Sequence, residues 1–107
     1  MKFGLSEKHL NYLDATAVMP LKNLGCKVWI FGSRARGDYR EYSDVDLLYL
    51  EDPAVDISRA IRIIRDELAD GTFPYRVDLV NLVEVADSYL AQILADRREI
   101  WALAQKL

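Results

Sequence analysis

The 107 residues suffice for one domain, and a second hydrophobic core would have to be very small. Hydrophobic residues make up 51% of the chain and charged residues 29%, a balance that excludes a disordered chain and a disulfide-stabilised miniprotein. The 17 acidic and 14 basic residues give a net charge of -3. Because proteins that bind nucleic acid through its phosphates usually carry a basic excess, we expect no direct nucleic-acid binding.

The cysteine count and the hydropathy pattern indicate the cellular compartment in which the protein is found. The single cysteine, Cys26, cannot form an internal disulfide, which fits a reducing environment. No apolar run approaches the ~20 residues of a membrane-spanning helix, and the first residues lack the basic-then-apolar order of a signal peptide. We therefore expect a cytoplasmic protein without membrane contact, formed by a single domain over residues 1–107.

The first half of the chain predicts one helix and two strands. An apolar stripe at helical spacing predicts a helix between Ser6 and Gly25, interrupted near Pro20. Two short runs rich in β-branched, aromatic and other apolar residues predict strands at 26–31 and 44–50. The polar segment between them is predicted as a loop that contains at most a turn of helix.

The second half predicts a helix, a strand and a final helix. Asp52 and Pro53 are typical of a helix start, and the following apolar face ends at Gly71. A third strand is predicted at 75–80 and a last helix at 87–105. The resulting order, α-β-β-α-β-α, indicates an α/β (α+β) domain in which a small mixed sheet of about three strands is flanked by helices.

Gly32 and Ser33 directly follow the first predicted strand. A glycine there lets a ligand approach the backbone closely. The amide groups of such a turn, together with the serine hydroxyl, are able to bind a phosphate. Taken alone, this pair is more often an ordinary turn from a strand into a loop.

Three aspartates stand on the predicted strands. Asp44 and Asp46 alternate, so both carboxylates project from the same face. Two like charges at the start of an apolar strand are costly unless a cation compensates them, and Mg2+ prefers carboxylate and phosphate oxygens. Asp78 lies between apolar residues of the third strand. Each of these features alone also fits a solvated carboxylate at a strand edge.

Together the features predict a single site. If the first two strands run antiparallel, Gly32 and Ser33 face Asp44 and Asp46 across a short gap. A neighbouring strand would then supply Asp78. Three carboxylates around two metal ions, beside a phosphate-binding turn, are what in-line nucleotidyl transfer requires.

The segments 32–37 and 43–47 resemble the signature of the DNA polymerase β-like nucleotidyltransferase superfamily. Residues 32–46 match without a gap the Gly-Ser-x10-Asp-x-Asp motif of its minimal nucleotidyltransferase branch. Members of that branch are antitoxins encoded beside HEPN-domain ribonuclease toxins. The resemblance implies the nucleotidyltransferase fold over nearly the whole chain.

The resemblance also implies roles for individual residues. Asp44 and Asp46 match the two aspartates that bind Mg2+, and Asp78 matches the third carboxylate, which helps to hold one metal ion and to activate the acceptor hydroxyl. All three are therefore expected to be both catalytic and metal-binding residues. Two Mg2+ ions are the expected cofactors, with ATP as the substrate.

The nucleotide-binding residues expected from the resemblance are Gly32 and Ser33, which hold the terminal phosphates. Arg34 and Arg36 follow in the same loop, where a guanidinium is able to pair with phosphate oxygens. Arg36 is the stronger candidate, because the motif often has a basic residue before Gly37. Both arginines also fit a solvated surface loop.

The implied reaction is the transfer of AMP from ATP to a tyrosine hydroxyl of a cognate HEPN toxin, which the transfer neutralises. The acidic balance of the chain suits docking on a basic ribonuclease. Two alternatives stay open. The chain could neutralise its HEPN partner by binding alone, or it could modify a small molecule.

Overall fold

The computed structural model describes residues 2–99 and consists of a three-stranded sheet packed against helices. The fold class and the element order agree with the prediction. None of the helices in this range is long and apolar enough to cross a membrane. In chain order, the elements are α1 (Glu7–Leu13), a π-helical segment (Asp14–Val18), α2 (Met19–Asn23), β1 (Lys27–Phe31), α3 (Gly32–Arg36), β2 (Val45–Leu50), α4 (Ser58–Asp70), β3 (Val77–Asn81), a 3-10 helix (Leu82–Glu84) and α5 (Asp87–Asp96).

The first helix is capped and interrupted as its sequence predicts. The Ser6 hydroxyl accepts a hydrogen bond of 3.2 Å from the backbone amide of His9. Pro20 has no amide hydrogen to donate to the preceding turn. The helix widens into the π-helical segment Asp14–Val18 just before this proline and then continues as α2.

The sheet is mixed, and β2 is its central strand. β1 pairs with β2 in antiparallel orientation, and β3 pairs with β2 in parallel orientation. A parallel pair needs a long crossover connection, which α4 provides between β2 and β3. This arrangement places the end of β1 and the starts of β2 and β3 at the same edge of the sheet, with β2 between the other two strands.

The core lies between the sheet and the helices that cover it. In α4 the buried residues Ile61, Ile64 and Leu68 recur at spacings of three and four, as one face of a helix requires. They pack in one apolar cluster with thirteen further buried side chains: Leu5, Leu13, Ala17, Val18, Leu21, Cys26, Val28, Ile30, Val45, Leu47, Tyr49, Ile57 and Leu79.

Two predicted helix boundaries were wrong. The helix expected at Asp52 begins at Ser58, because the Asp52 carboxylate instead accepts a hydrogen bond of 2.9 Å from the amide of Ala54 and closes a turn. The last helix ends at Asp96. The chain then extends, and Arg98 forms an antiparallel bridge with Ile30. Residues 100–105 of the predicted last helix lie outside the described residues.

Candidate active site

The register of the sheet brings two of the predicted site residues side by side. Asp46 on β2 is the direct partner of Asp78 on β3, and on its other side it is paired with Phe31, the last residue of β1. Because directly paired residues of neighbouring strands project from the same face, the two carboxylates are neighbours. Asp44, just before β2, is close enough to repel Asp46 electrostatically.

Gly32 lies directly against the Asp46 carboxylate. Its φ of +75° falls in the left-handed region, and a Cβ added at this position would collide with Oδ2 of Asp46. The sequence analysis expected a glycine here to let a ligand approach the backbone; in the structure, the group in close contact with Gly32 is the Asp46 carboxylate. Ser33 follows within α3 and is half-buried. The structure thus places the Gly32–Ser33 turn beside the carboxylates.

The surroundings of Asp46 oppose its ionisation. The pKa of this carboxyl is raised from 3.8 to about 6, first by burial and then by the negative charges of Asp78 and Asp44. Arg36 and Arg76 act in the opposite direction. A half-buried carboxylate beside two others is an excess of negative charge that a cation would relieve.

The donor set fits Mg2+, although it is not a complete cage. Within residues 2–99, no three or more aspartate, glutamate, histidine or cysteine side chains converge at the spacing of a full metal site. Mg2+ is usually held by one or two carboxylates together with substrate phosphates rather than by protein groups alone. Carboxylates beside a candidate phosphate turn match that requirement.

Arg76 is a charged neighbour of the site that the sequence analysis missed. Its Nη2 lies 3.3 Å from Oδ1 of Asp78, while its side chain remains 74% exposed. The signal was present in the sequence. Arg76 and Asp78 are two residues apart in extended chain, and side chains at that spacing share a face.

Arg36 stands at the end of α3 and connects this helix to α5. Its guanidinium pairs with Asp38 at 3.3 Å (Nε to Oδ1) and with Asp96 at 2.8 Å (Nη1 to Oδ2). The Arg36 side chain is 41% exposed, so phosphate oxygens are able to reach it. Its role in nucleotide binding stays a prediction.

Arg34 departs from the expectation that it binds a nucleotide. Its side chain is buried, and its guanidinium nitrogens donate hydrogen bonds to backbone carbonyls of this chain. A guanidinium enclosed in this way has no free face for a phosphate. The sequence could not show this, because a buried arginine and a phosphate-binding arginine look alike in a polar loop.

The family profile described as "Polymerase beta, Nucleotidyltransferase" matches residues 25–105. A curated relative is the "Probable protein adenylyltransferase MntA" of Haemophilus influenzae, which is 31% identical over 62 residues. That match covers 58% of this chain and 54% of the relative. The chain therefore spans about half the length of the curated relative that it matches.

Solved structures share the fold. A chain assigned as a minimal nucleotidyltransferase is 28% identical with a TM-score of 0.57, and the match covers 88% of this chain and 98% of the other. A toxin-antitoxin structure with AMP-PNP gives a TM-score of 0.60 at 22% identity, covering 87% of this chain and 76% of that one. A tri-AMPylated Shewanella oneidensis HEPN toxin in complex with its MNT antitoxin gives 0.60 at 20% identity, covering 95% and 76%. On the strength of the profile match over most of its length, the chain belongs to the Polymerase beta nucleotidyltransferase family.

Proposed function

We propose that this chain is a Mg2+-dependent nucleotidyltransferase that transfers AMP from ATP to a tyrosine hydroxyl of a HEPN toxin and thereby neutralises it. The main observation in support of the proposal is that Gly32 contacts the Asp46 carboxylate. Asp46 is in turn the direct strand partner of Asp78. Further support comes from the family and from the curated relative named as a protein adenylyltransferase.

In this mechanism, Asp44 and Asp46 would hold Mg2+ together with phosphate oxygens of ATP, Asp78 would supply a third carboxylate, and the Gly32–Ser33 turn would bind the terminal phosphates. Two bound Mg2+ ions would neutralise the triphosphate and stabilise the attacking and leaving oxygens. The acceptor hydroxyl oxygen forms a bond to the α-phosphorus, the bond from that phosphorus to pyrophosphate breaks, and the Asp78 carboxylate takes the hydroxyl proton.

Asp78 stands on β3, whereas the Gly32–Ser33 turn follows β1 on the other side of β2. An acceptor that reaches Asp78 would therefore approach from the β3 side of the sheet, away from phosphates held at the Gly32–Ser33 turn. The cavity of ≈ 680 Å³ between β3 and α4 is a separate feature, because α4 covers the sheet face that carries Leu79 and the Asp78 side chain projects from the opposite face.

The proposed protein partner is inferred from the resemblance and from solved structures that have the same fold. An antitoxin with this fold is found bound to a tri-AMPylated HEPN toxin, which makes a HEPN protein the first acceptor to test. The proposed partners are thus a HEPN toxin and ATP, in a hetero-oligomer. We expect the complex in the cytoplasm and without membrane or direct nucleic-acid contact.

The test combines the purified chain with the HEPN protein encoded next to its gene, Mg2+ and each nucleoside triphosphate in turn. We expect the intact mass of the HEPN protein to rise by one or more AMP units, and Asp44→Asn to abolish the gain. Asp66→Asn, an exposed aspartate on α4 away from the site, is the matched control and should transfer normally.

Other outcomes select other functions. Tight binding of the HEPN protein without any mass gain would point to neutralisation by binding alone. The same conclusion would follow if an Asp44→Asn, Asp46→Asn double variant still neutralised the toxin fully. Transfer to an aminoglycoside but not to the HEPN protein would instead favour a small-molecule acceptor.

A further inference from the structure

Arg34 is a buried cation that is held by three backbone carbonyls from two separate segments of the chain. Its side chain is 1% exposed. Its Nε donates to the carbonyl of Ser43 at 3.0 Å, its Nη1 to the carbonyl of Phe3 at 3.0 Å and its Nη2 to the carbonyl of Glu41 at 3.4 Å. Among residues 2–99 it forms no salt bridge with a carboxylate, so these carbonyls compensate its charge.

Two aromatic rings enclose the same guanidinium. The centre of the group lies 4.5 Å from the ring centroid of Tyr75 and 5.4 Å from that of Tyr39, distances at which a cation is attracted to a ring face. Gly4 closes the remaining space, since a Cβ added there would come within 2.9 Å of Nη1 and collide with the Tyr39 ring.

The contacts join every segment that carries a predicted site residue. Arg34 directly follows Ser33 in the chain, the Ser43 carbonyl belongs to the peptide that leads into Asp44, and Tyr75 lies three residues before Asp78. The planar guanidinium donates in fixed directions, so it holds these partners at set positions relative to one another. Arg34 therefore ties the Gly32–Ser33 turn to the peptide that leads into Asp44, whereas Asp46 and Asp78 are placed by the register of the sheet.

We infer that Arg34 is a positioning residue that keeps the loop 37–43, and with it Asp44, in the geometry needed for nucleotidyl transfer. We call this arrangement the Arg34 clamp; it consists of the Arg34 guanidinium, the carbonyls of Phe3, Glu41 and Ser43, and the rings of Tyr39 and Tyr75. The kinetic consequences of this inference rest on the proposed function. The effect of Arg34 on the order of the loop is independent of that function.

The test compares Arg34→Lys with Arg40→Lys, which changes an exposed arginine of the same loop. A lysine keeps the charge but lacks the planar fork of donors, so it cannot bind all three carbonyls. In Arg34→Lys, we expect amide hydrogen exchange in residues 37–44 to accelerate roughly tenfold, the equivalent of about one lost hydrogen bond, with exchange in β1 unchanged. Arg40→Lys should match the unmodified protein.

The kinetic measurement separates positioning from nucleotide contact. We expect kcat of Arg34→Lys to fall roughly 100-fold, as for a misplacement of about 1 Å, with KM for the nucleotide nearly unchanged. A raised KM with unaltered loop exchange would mean that Arg34 contacts the nucleotide, and it would overturn the inference. Unaltered exchange together with unaltered kcat would overturn it as well.

A second variant covers the case in which Arg34→Lys does not fold. Tyr39→Leu removes one ring of the Arg34 clamp at a partly exposed position and should give smaller changes of the same sign in exchange and kcat. If Tyr39→Leu changed neither quantity, the inference would be wrong. If the unmodified protein transferred no nucleotide, the proposed function would fail, and the exchange rates would still decide whether the clamp orders the loop.

Discussion

Replacing Asp46 by asparagine should stabilise the protein in the absence of metal ions at neutral pH. Ionised Asp46 is half-buried and is repelled by Asp78 and Asp44, and burial together with this repulsion raises the pKa of its carboxyl to about 6. The folded state therefore opposes ionisation of this group. Asparagine has nearly the same shape and carries no charge, so it removes the cost.

The size of the gain follows from the pKa. Ionising a carboxyl group whose pKa rises from 3.8 to about 6 on folding costs about 3 kcal/mol. Because Asp46 is only half-buried, solvent screens part of this repulsion, and about 1–2 kcal/mol should remain. The cost is absent below about pH 4, where the carboxyl is protonated in both states. This cost of ionisation grows as the pH rises from 3.8 to about 6, and it is complete above about pH 6.

The assay is urea unfolding of the unmodified protein and of Asp46→Asn in EDTA at pH 4 and pH 7.5. We expect the variant to be more stable at pH 7.5 and nearly equal at pH 4, and Asp66→Asn to show no such difference between the two pH values. With Mg2+ in excess the advantage should shrink, because the ion stabilises only the folded protein that binds it. A variant that is less stable at pH 7.5 in EDTA, or equally stabilised at both pH values, would refute the electrostatic reasoning.

Three further substitutions test other parts of the structure. Gly32→Ala should lose at least about 1–2 kcal/mol of stability in urea unfolding, because a Cβ is strained at positive φ and collides with Asp46, and it should abolish nucleotide transfer. Arg76→Ala should change stability by less than about 1 kcal/mol, since its ion pair with Asp78 is exposed; a larger loss in the same assay would mean that the pair is structural. Leu47→Ala should cost about 2–5 kcal/mol by the same measurement, because Leu47 is fully buried in the central strand; a loss below 1 kcal/mol would contradict that placement.

The sequence was most informative where a pattern is local. The strands and the apolar face of α4 were predicted because side-chain alternation and helical spacing depend only on near neighbours. Boundaries were predicted less well. Asp52 and Pro53 are compatible with a helix start and with a turn. The structure forms a turn there, because the chain reaches the start of α4 only at Ser58. Arg98 likewise leaves the predicted last helix because Ile30, far away in sequence, offers it backbone hydrogen bonds.

For the site, the sequence by itself determined which residues are available and on which strands they lie. The spacing of Gly32 and Asp46 predicted that they meet if the first two strands are antiparallel, and the resemblance added Asp78 as the third carboxylate. Only the tertiary structure decided that Asp46 is the partner of Asp78 and lies against the Gly32 backbone, because strand register is set by the packing of the whole sheet. It also decided the role of Arg34, since a guanidinium binds phosphates or carbonyls with the same donors. The fold encloses Arg34 among carbonyls and leaves Arg36 exposed.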